Sequence, residues 1–235
     1  MTALPKTQQQ LHSLVTDSGE LQLSLVEVPL AAPGADEVVV RVEATPINPS
    51  DLGGLFAGAS WADFTQTGTP GHPALTGQVP AAALPALRPR VGERLVVGNE
   101  SAGVVVAAGS NPEAQHLLGK TVALTGGEMY QQYRTVKAND CLVLDAQSTP
   151  ADGASSYVNP LTSQAMVEVM RLEGHKALVH TAAASNLGQM LNRICIADGV
   201  DLVNVVRSPE QVALLRAQGA KWVVDTSSAD FEAEL

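Results

Sequence analysis

Hydrophobic residues follow one pattern in the last third of the chain and another in the rest. Three short apolar runs, rich in β-branched residues, predict strands at residues 176–181, 202–206 and 221–225. Two segments between them have the apolar spacing of amphipathic helices, residues 186–197 and 209–218. This order of elements is the βαβαβ mononucleotide-binding half of a Rossmann sheet. Right-handed connections predict the strand order 3-2-1, which leaves the first strand without a neighbour on one side.

The first 150 residues have a different pattern. Short alternating or β-branched runs are separated by Gly/Pro turns, at residues 21–28, 37–44, 101–107 and 119–124. Such spacing is typical of an antiparallel, barrel-like β domain. Residues 57–97 form a long Gly/Pro/Ala-rich connection, predicted to be a loop over a site or a mobile insertion. We therefore predict a mixed α/β fold (α+β overall) with two domains, residues 1–155 and 156–235.

The turn that opens the helix at residues 186–197 resembles a dinucleotide-binding fingerprint. The pattern G-x-G-x-x-G would place glycines at Ala183, Ser185 and Gly188. The third glycine is present, and it is the one that lets the helix pack closely against the strand. Small residues at the other two positions still let a pyrophosphate approach N–H groups at the helix N-terminus. Taken alone, the turn fits an ordinary strand–helix connection equally well.

The end of the second predicted strand indicates which nucleotide would bind. An NAD site carries an acid about 20 residues after the fingerprint, where it binds the ribose 2′-hydroxyl. Arg207 and Ser208 stand there instead. Arginine suits a 2′-phosphate, so both residues are predicted to bind the cofactor, and NADPH is favoured over NADH. The alternative is a solvent-exposed arginine at a helix start.

Composition excludes several classes of partner. The chain has 235 residues, a net charge of −10 and 14 Lys plus Arg. With no basic stripe, nucleic acid and anionic membranes are not expected as partners. The sequence contains no apolar run of transmembrane length and no signal-peptide core at the N-terminus. Cys141 and Cys195 are too few for a disulfide framework, so we expect a cytoplasmic protein.

Several motifs run in the order of a known family across nearly the whole chain: residues 47–51 (INPSD), 98–103 (GNESAG), 130–136 (YQQYRTV), 159–162 (NPLT) and the turn at 182–188. Together they resemble the medium-chain dehydrogenase/reductase superfamily, in its zinc-free quinone-oxidoreductase-like and enoyl-thioester-reductase-like branch. The resemblance implies a GroES-like domain before the Rossmann half. It also implies an NADPH-dependent enzyme that transfers hydride to a quinone or an α,β-unsaturated carbonyl, with a small-molecule substrate and homodimeric assembly.

The departures from the zinc-dependent members predict a metal-free protein. Asn48 and Asn99 stand where those members have their Cys and His ligands, and the four-cysteine structural zinc loop is absent. The five histidines show no ligand spacing: His12, His72, His116, His175 and His180. We therefore predict no metal site.

The resemblance also implies which residues form the site. Asn48 and Thr162 are expected near the nicotinamide, in both catalytic and cofactor-binding roles. The pyrophosphate is expected at the start of the helix that follows the first strand, on Ser185, Asn186, Leu187 and Gly188.

One catalytic position of the enoyl-thioester reductases differs here. Their tyrosine, which supports the developing enolate, aligns with Ala59, so Tyr130 is predicted as the catalytic substitute. Packing of Tyr130 against Tyr133 is an equally good interpretation. Asp51 either orders the cleft or caps the turn that follows it.

Two other functions would account for parts of the sequence. Residues 99–103 resemble the G-x-S-x-G elbow of serine hydrolases, but a β-branched run follows where an elbow needs a helix. A second alternative is a truncated, inactive fragment, because the sequence stops after the third Rossmann strand. That interpretation predicts marginal stability, self-association through the unpaired strand and at most weak cofactor or partner binding.

Overall fold

The computed structural model describes residues 4–234, which divide into two compact units. The first unit ends at Ser156 and the second begins at Tyr157. Among residues 4–234, none of the helices combines the length and the apolar character that a membrane crossing requires.

Two antiparallel sheets of five strands build the first unit. One sheet has the order β4-β5-β2-β1-β6, from strands β1 (Thr7–Val15), β2 (Glu20–Pro29), β4 (Thr65–Gln66), β5 (Ala74–Gln78) and β6 (Arg94–Val96). The other has the order β10-β8-β7-β3-β9, from β3 (Glu37–Ala44), β7 (Glu100–Ala108), β8 (Thr121–Thr125), β9 (Tyr133–Lys137) and β10 (Leu142–Val143). The prediction of an antiparallel β domain is confirmed.

Short helices connect these strands: α1 (Pro49–Phe56), α2 (Leu84–Leu87), α3 (Pro112–His116) and α4 (Pro150–Gly153). Apolar side chains on alternating strand positions form the core of the second sheet: Val38, Val40, Val105, Val122 and Leu124. A separate cluster under the first sheet contains Val15, Leu21 and Ala59. Since successive residues of a strand lie on opposite faces, these side chains share one face of their strands, and Val39 and Ala123 on the opposite faces are also buried.

The long connection at residues 57–97 differs from the prediction of a loop or mobile insertion. It contains β4, β5, β6 and α2, and β5 pairs antiparallel with the edge of β2. Its runs are too short and too rich in Gly and Pro to indicate strands locally. They are strands because β2 provides a partner edge.

The second unit is a three-stranded parallel sheet with helices. Its elements are α5 (Val158–Leu172), β11 (Ala177–His180), α6 (Asn186–Asp198), β12 (Asp201–Val206), α7 (Pro209–Ala217), β13 (Trp222–Asp225) and α8 (Phe231–Glu234). The order β11-β12-β13 is the predicted one. Within residues 4–234, β11 pairs with β12 alone, and Val179 on β11 is 62% exposed.

Candidate active site

A buried polar cluster surrounds the start of α1. Asn48 is the N-cap residue of this helix, and Pro49 occupies the first helical position, where a missing N–H has no consequence. The Asp51 carboxylate accepts hydrogen bonds from two backbone N–H groups, that of Asn48 at 2.7 Å and that of Asn99 at 2.9 Å. Asp51 therefore both caps α1 and ties it to the segment that precedes β7.

The side chains of Asn48 and Asn99 are also held. Asn48 Nδ2 donates to Glu100 Oε1 at 2.8 Å, and Asn99 Nδ2 donates to Ser50 Oγ at 3.0 Å. Asn48, Asp51 and Glu100 are all less than 5% exposed. Buried polar groups need partners of this kind, because an unpaired one loses its hydration without compensation. Glu100 is a member of this cluster that the sequence analysis missed.

Tyr130 lies beside the same cluster. Its hydroxyl donates to the Pro46 carbonyl oxygen at 2.8 Å. Burial, together with the nearby carboxylates of Asp51 and Glu100, raises the pKa of Tyr130 far above its ordinary value. The phenol is therefore protonated near neutral pH, and its proton is engaged by Pro46.

A close backbone approach places the Tyr130 ring. Gly98 has φ +100°, and a Cβ there would overlap both the ring and the backbone of Tyr130. The ring packs against the apolar cluster of Leu23, Leu55 and Val97. The catalytic role of Tyr130 stays a prediction.

Ser101 and Ala59 lie in the interior. Ser101 is in β7, is fully buried and donates to the Met129 sulfur, so it is not on the strand–turn–helix elbow of a hydrolase. Ala59 is 9% exposed within the core cluster that contains Val15 and Leu21.

The turn between β11 and α6 packs against Gly188, the third residue of α6. Ser185 is the N-cap of α6, and its Oγ accepts from Gly188 N at 3.0 Å. A Cβ on Gly188 would overlap the backbone of Ala182 and Ala183. The close contact at Gly188 is therefore with the turn that follows β11, and its role in binding a cofactor stays a prediction. Asn186 and Leu187 form the first turn of α6, where helix N–H groups favour anions.

Helix α5 is attached to this turn by a buried serine. The Ser163 hydroxyl, fully buried, is shared between the carbonyl oxygens of Asn159 at 2.9 Å and Leu187 at 3.2 Å. The neighbouring Thr162 hydroxyl donates to Val158 O at 2.6 Å. Ser163 is another residue that sequence reasoning missed, because a serine inside a helix gives no local signal of a tertiary contact.

A cleft of about 480 Å³ opens at the carboxyl ends of β11 and β12. It is lined by the turn at residues 181–185, by Arg207 and by Gln211. Arg207 is exposed, and its backbone N–H donates to Gln211 Oε1 at 2.9 Å. Gln211 was not predicted, although it lies one helical turn after Arg207. The Ser208 hydroxyl bonds to the Glu210 carboxylate and thereby lowers the pKa of Glu210.

Within residues 4–234, no group of three or more His, Cys, Asp or Glu side chains could hold a metal ion. Amides occupy both positions at which the resemblance places the zinc ligands, Asn48 and Asn99. Neutral amide groups are not the N and S ligands that zinc prefers.

We expect the purified protein to carry far less than one zinc per chain, because Asn48 and Asn99 offer amides in place of thiolate and imidazole. Elemental analysis tests this directly. A melting temperature unchanged by EDTA is the second expected result. About one zinc per chain, with a lower melting temperature after chelation, would contradict the prediction.

Comparison with known proteins supports the fold described above. Residues 34–149 match the alcohol dehydrogenase GroES-like domain. A mitochondrial enoyl-[acyl-carrier-protein] reductase of Xenopus tropicalis is 29% identical over 208 residues, which are 86% of this chain and 51% of the relative. The chain spans about half the length of the curated relatives it matches.

Solved structures show the same fold. A putative NADPH:quinone reductase from Mesorhizobium loti is 28% identical with a TM-score of 0.67, covering 99% of this chain and 64% of that one. A mycobacterial protein solved in complex with NADPH is 21% identical with a TM-score of 0.63, covering 93% of this chain and 58% of that one. The GroES-like match and these similarities together support placing the chain in the medium-chain dehydrogenase/reductase superfamily.

Proposed function

We propose that this chain provides the β domain and the nucleotide-binding turn of an NADPH-dependent, metal-independent reductase. The observation that carries the proposal is the cleft at the carboxyl ends of β11 and β12, with Gly188 behind it and Arg207 at its rim. Ligands of open α/β sheets bind at this end of the strands. A guanidinium at the end of the second strand suits the 2′-phosphate.

The residues of the chain fit a bound dinucleotide. Ser185, Asn186 and Leu187 are proposed to bind the pyrophosphate at the start of α6, where the helix dipole is positive. When bound, NADPH supplies the hydride, and the protein contributes orientation and exclusion of water. Asn48, kept in one orientation by Glu100, and Thr162 are proposed to orient the nicotinamide.

An electrophilic substrate follows from the absence of thiolate and imidazole ligands at Asn48 and Asn99. A quinone or an α,β-unsaturated carbonyl accepts hydride without a Lewis acid, whereas a simple alcohol needs one to ionise. The names of the similar proteins, enoyl-[acyl-carrier-protein] reductase and NADPH:quinone reductase, support both substrate classes. For an enoyl substrate, Tyr130 is proposed to stabilise the enolate. Its hydroxyl would first have to give up its hydrogen bond to the Pro46 carbonyl oxygen.

The test is calorimetric titration of the 235-residue chain with NADPH, followed by an assay of NADPH oxidation with a quinone and with a 2-enoyl thioester. Saturable binding and oxidation with either substrate are expected. No binding of NADPH would overturn the proposal. A second candidate is a nucleotide-binding protein without turnover, because the lining of the proposed nucleotide cleft belongs to the second unit alone. Binding without oxidation would identify it.

Homodimeric assembly of the whole protein and a cytoplasmic location are also proposals.

Removing the guanidinium of Arg207 should lower NADPH affinity by roughly 10- to 100-fold and leave NADH affinity within about twofold. A charge-assisted hydrogen bond contributes about 1.5–3 kcal/mol, and only NADPH carries the phosphate that accepts it. Calorimetry of Arg207→Ala with both nucleotides provides the measurement. Arg193→Ala is the matched control, since Arg193 is exposed on α6 of the same unit. Equal affinity of the unaltered chain for both nucleotides would refute this prediction.

A further inference from the structure

The segment between α1 and β6 forms one wall of a second cleft, which lies wholly within the first unit. This cleft has a volume of about 550 Å³, within the range of small-molecule sites. Ile47, Leu55 and Phe56 line it on the side of α1. Leu25, Ala74 and Leu75 line it on the side of the sheet. Ala74 and Leu75 belong to β5. This wall of the cleft is therefore formed by the pairing of β5 with the edge of β2.

Large apolar side chains at this cleft remain in contact with solvent. Ile47 is 72% exposed, Leu75 is 44% exposed and Leu25 is 37% exposed. Folding therefore leaves apolar area uncovered on both walls of one concave site. Single exposed apolar residues are ordinary, but a group of them around a cleft marks a binding site.

The lining selects an uncharged ligand. Among the residues that line the cleft, all within the described chain, Tyr130 is the only one with a titratable side chain. Burial raises the pKa of Tyr130 and keeps its phenol neutral, and its hydroxyl is already bonded to Pro46 O. A charged group placed among these side chains would lose hydration and find no oppositely charged side chain in the lining. A flexible aliphatic chain has no polar group that would lose its hydration there.

We propose that this cleft binds the neutral aliphatic tail of the substrate. The inference rests on the proposed reductase function and extends it. Ile47 lines the cleft and immediately precedes Asn48, and Tyr130 contributes both to the lining and to the surroundings of Asp51. The end of the cleft near Ile47 and Tyr130 therefore meets the polar cluster, and the tail extends away from it along β2 and β5. A straight acyl chain and an isoprenoid side chain share this chemistry.

Calorimetric titration with 1-hexanol, 1-octanol and 1-decanol tests the tail by itself, on the whole chain and without nucleotide. Each buried methylene is worth about 0.8 kcal/mol, so affinity should rise roughly fourfold per carbon until the cleft is full. Geraniol, an isoprenoid alcohol with as many carbons as decanol, separates the two sources. Tighter decanol binding indicates an acyl chain and tighter geraniol binding an isoprenoid one, and either supports the proposal. Affinity that does not depend on chain length would overturn it.

Two substitutions place the binding in this cleft. Ala74→Phe should obstruct it and weaken decanol binding at least about tenfold, whereas Ala31→Phe, at an exposed position after β2, should not. Leu75→Ser provides an independent test in case Ala74→Phe does not fold. It should weaken decanol binding several-fold. Its control is Leu142→Ser, because both leucines are 44% exposed. Equal decanol affinity in Leu75→Ser and Leu142→Ser would overturn the assignment. Since no nucleotide is present, a failed NADPH titration and a failed alkanol titration are separate results.

Discussion

The Gly188→Ala variant should lose most of its NADPH affinity, by at least about tenfold, and its second unit should be destabilised by about 1–3 kcal/mol. The added Cβ would overlap the backbone of Ala182 and Ala183, so the strand–turn–helix connection has to open. That movement displaces Ser185, whose hydroxyl accepts from the N–H of residue 188. The proposed pyrophosphate site and the packing of α6 are then altered together.

The tryptophans allow the loss to be measured locally. Trp222 lies in β13 of the second unit, whereas Trp61 is 79% exposed in the first unit. In a Trp61→Phe background, urea unfolding followed by tryptophan fluorescence therefore reports on the second unit. Gly53→Ala is the matched control, because its Cβ would meet no atom within 4 Å and Gly53 lies inside α1. Since Gly53 is in the first unit, that control should leave the unfolding transition reported by Trp222 within about 0.5 kcal/mol of the parent. Wild-type NADPH affinity in Gly188→Ala would contradict the role assigned to this glycine.

The Asp51→Asn variant should lower the free energy of unfolding by about 2–4 kcal/mol. Both carboxylate oxygens of Asp51 accept from backbone N–H groups, those of Asn48 and Asn99. An asparagine has one oxygen, so its amide group would face one of these N–H donors. Since Asp51 is 3% exposed, water does not replace the lost acceptor.

Urea denaturation followed by circular dichroism measures this effect. Asp17→Asn is the control, because it removes the same charge at an exposed turn position between β1 and β2. It should change the unfolding free energy by less than about 0.5 kcal/mol. Equal stability of the two variants would show that the hydrogen bonds of Asp51 contribute little.

The candidate site was only partly predictable from the sequence. The resemblance placed Asn48 and Asn99 at corresponding positions of the family, but it did not show what holds them. Glu100 bonds to Asn48, which is 52 positions away in the chain, and Asp51 bonds to Asn99, which is 48 positions away. Gln211 was missed although it is only four positions from Arg207, because a glutamine in the first turn of a helix gives no local sign that it accepts from a preceding backbone N–H.

The sequence by itself determined the second unit. Strands β11, β12 and β13 and helices α6 and α7 have local signals, because parallel strands are apolar runs and their helices are amphipathic. The need for glycine at residue 188 was also predictable from the fingerprint pattern, and a Cβ there would overlap the backbone of the turn that follows β11.

Only the tertiary structure decided β1 and the segment that carries β5. Strand β1 begins with glutamines that give no strand signal. Gln8 and Gln10 are strand residues because they pair with Val28 and Val26 of β2, and their amides also donate to the Gln131 side chain, more than 120 positions away, at 3.1 and 2.8 Å. Likewise, Ala74 and Leu75 form a strand because β2 offers an unpaired edge. Strand pairing is a long-range interaction, so a segment with weak local preference takes its conformation from its partner.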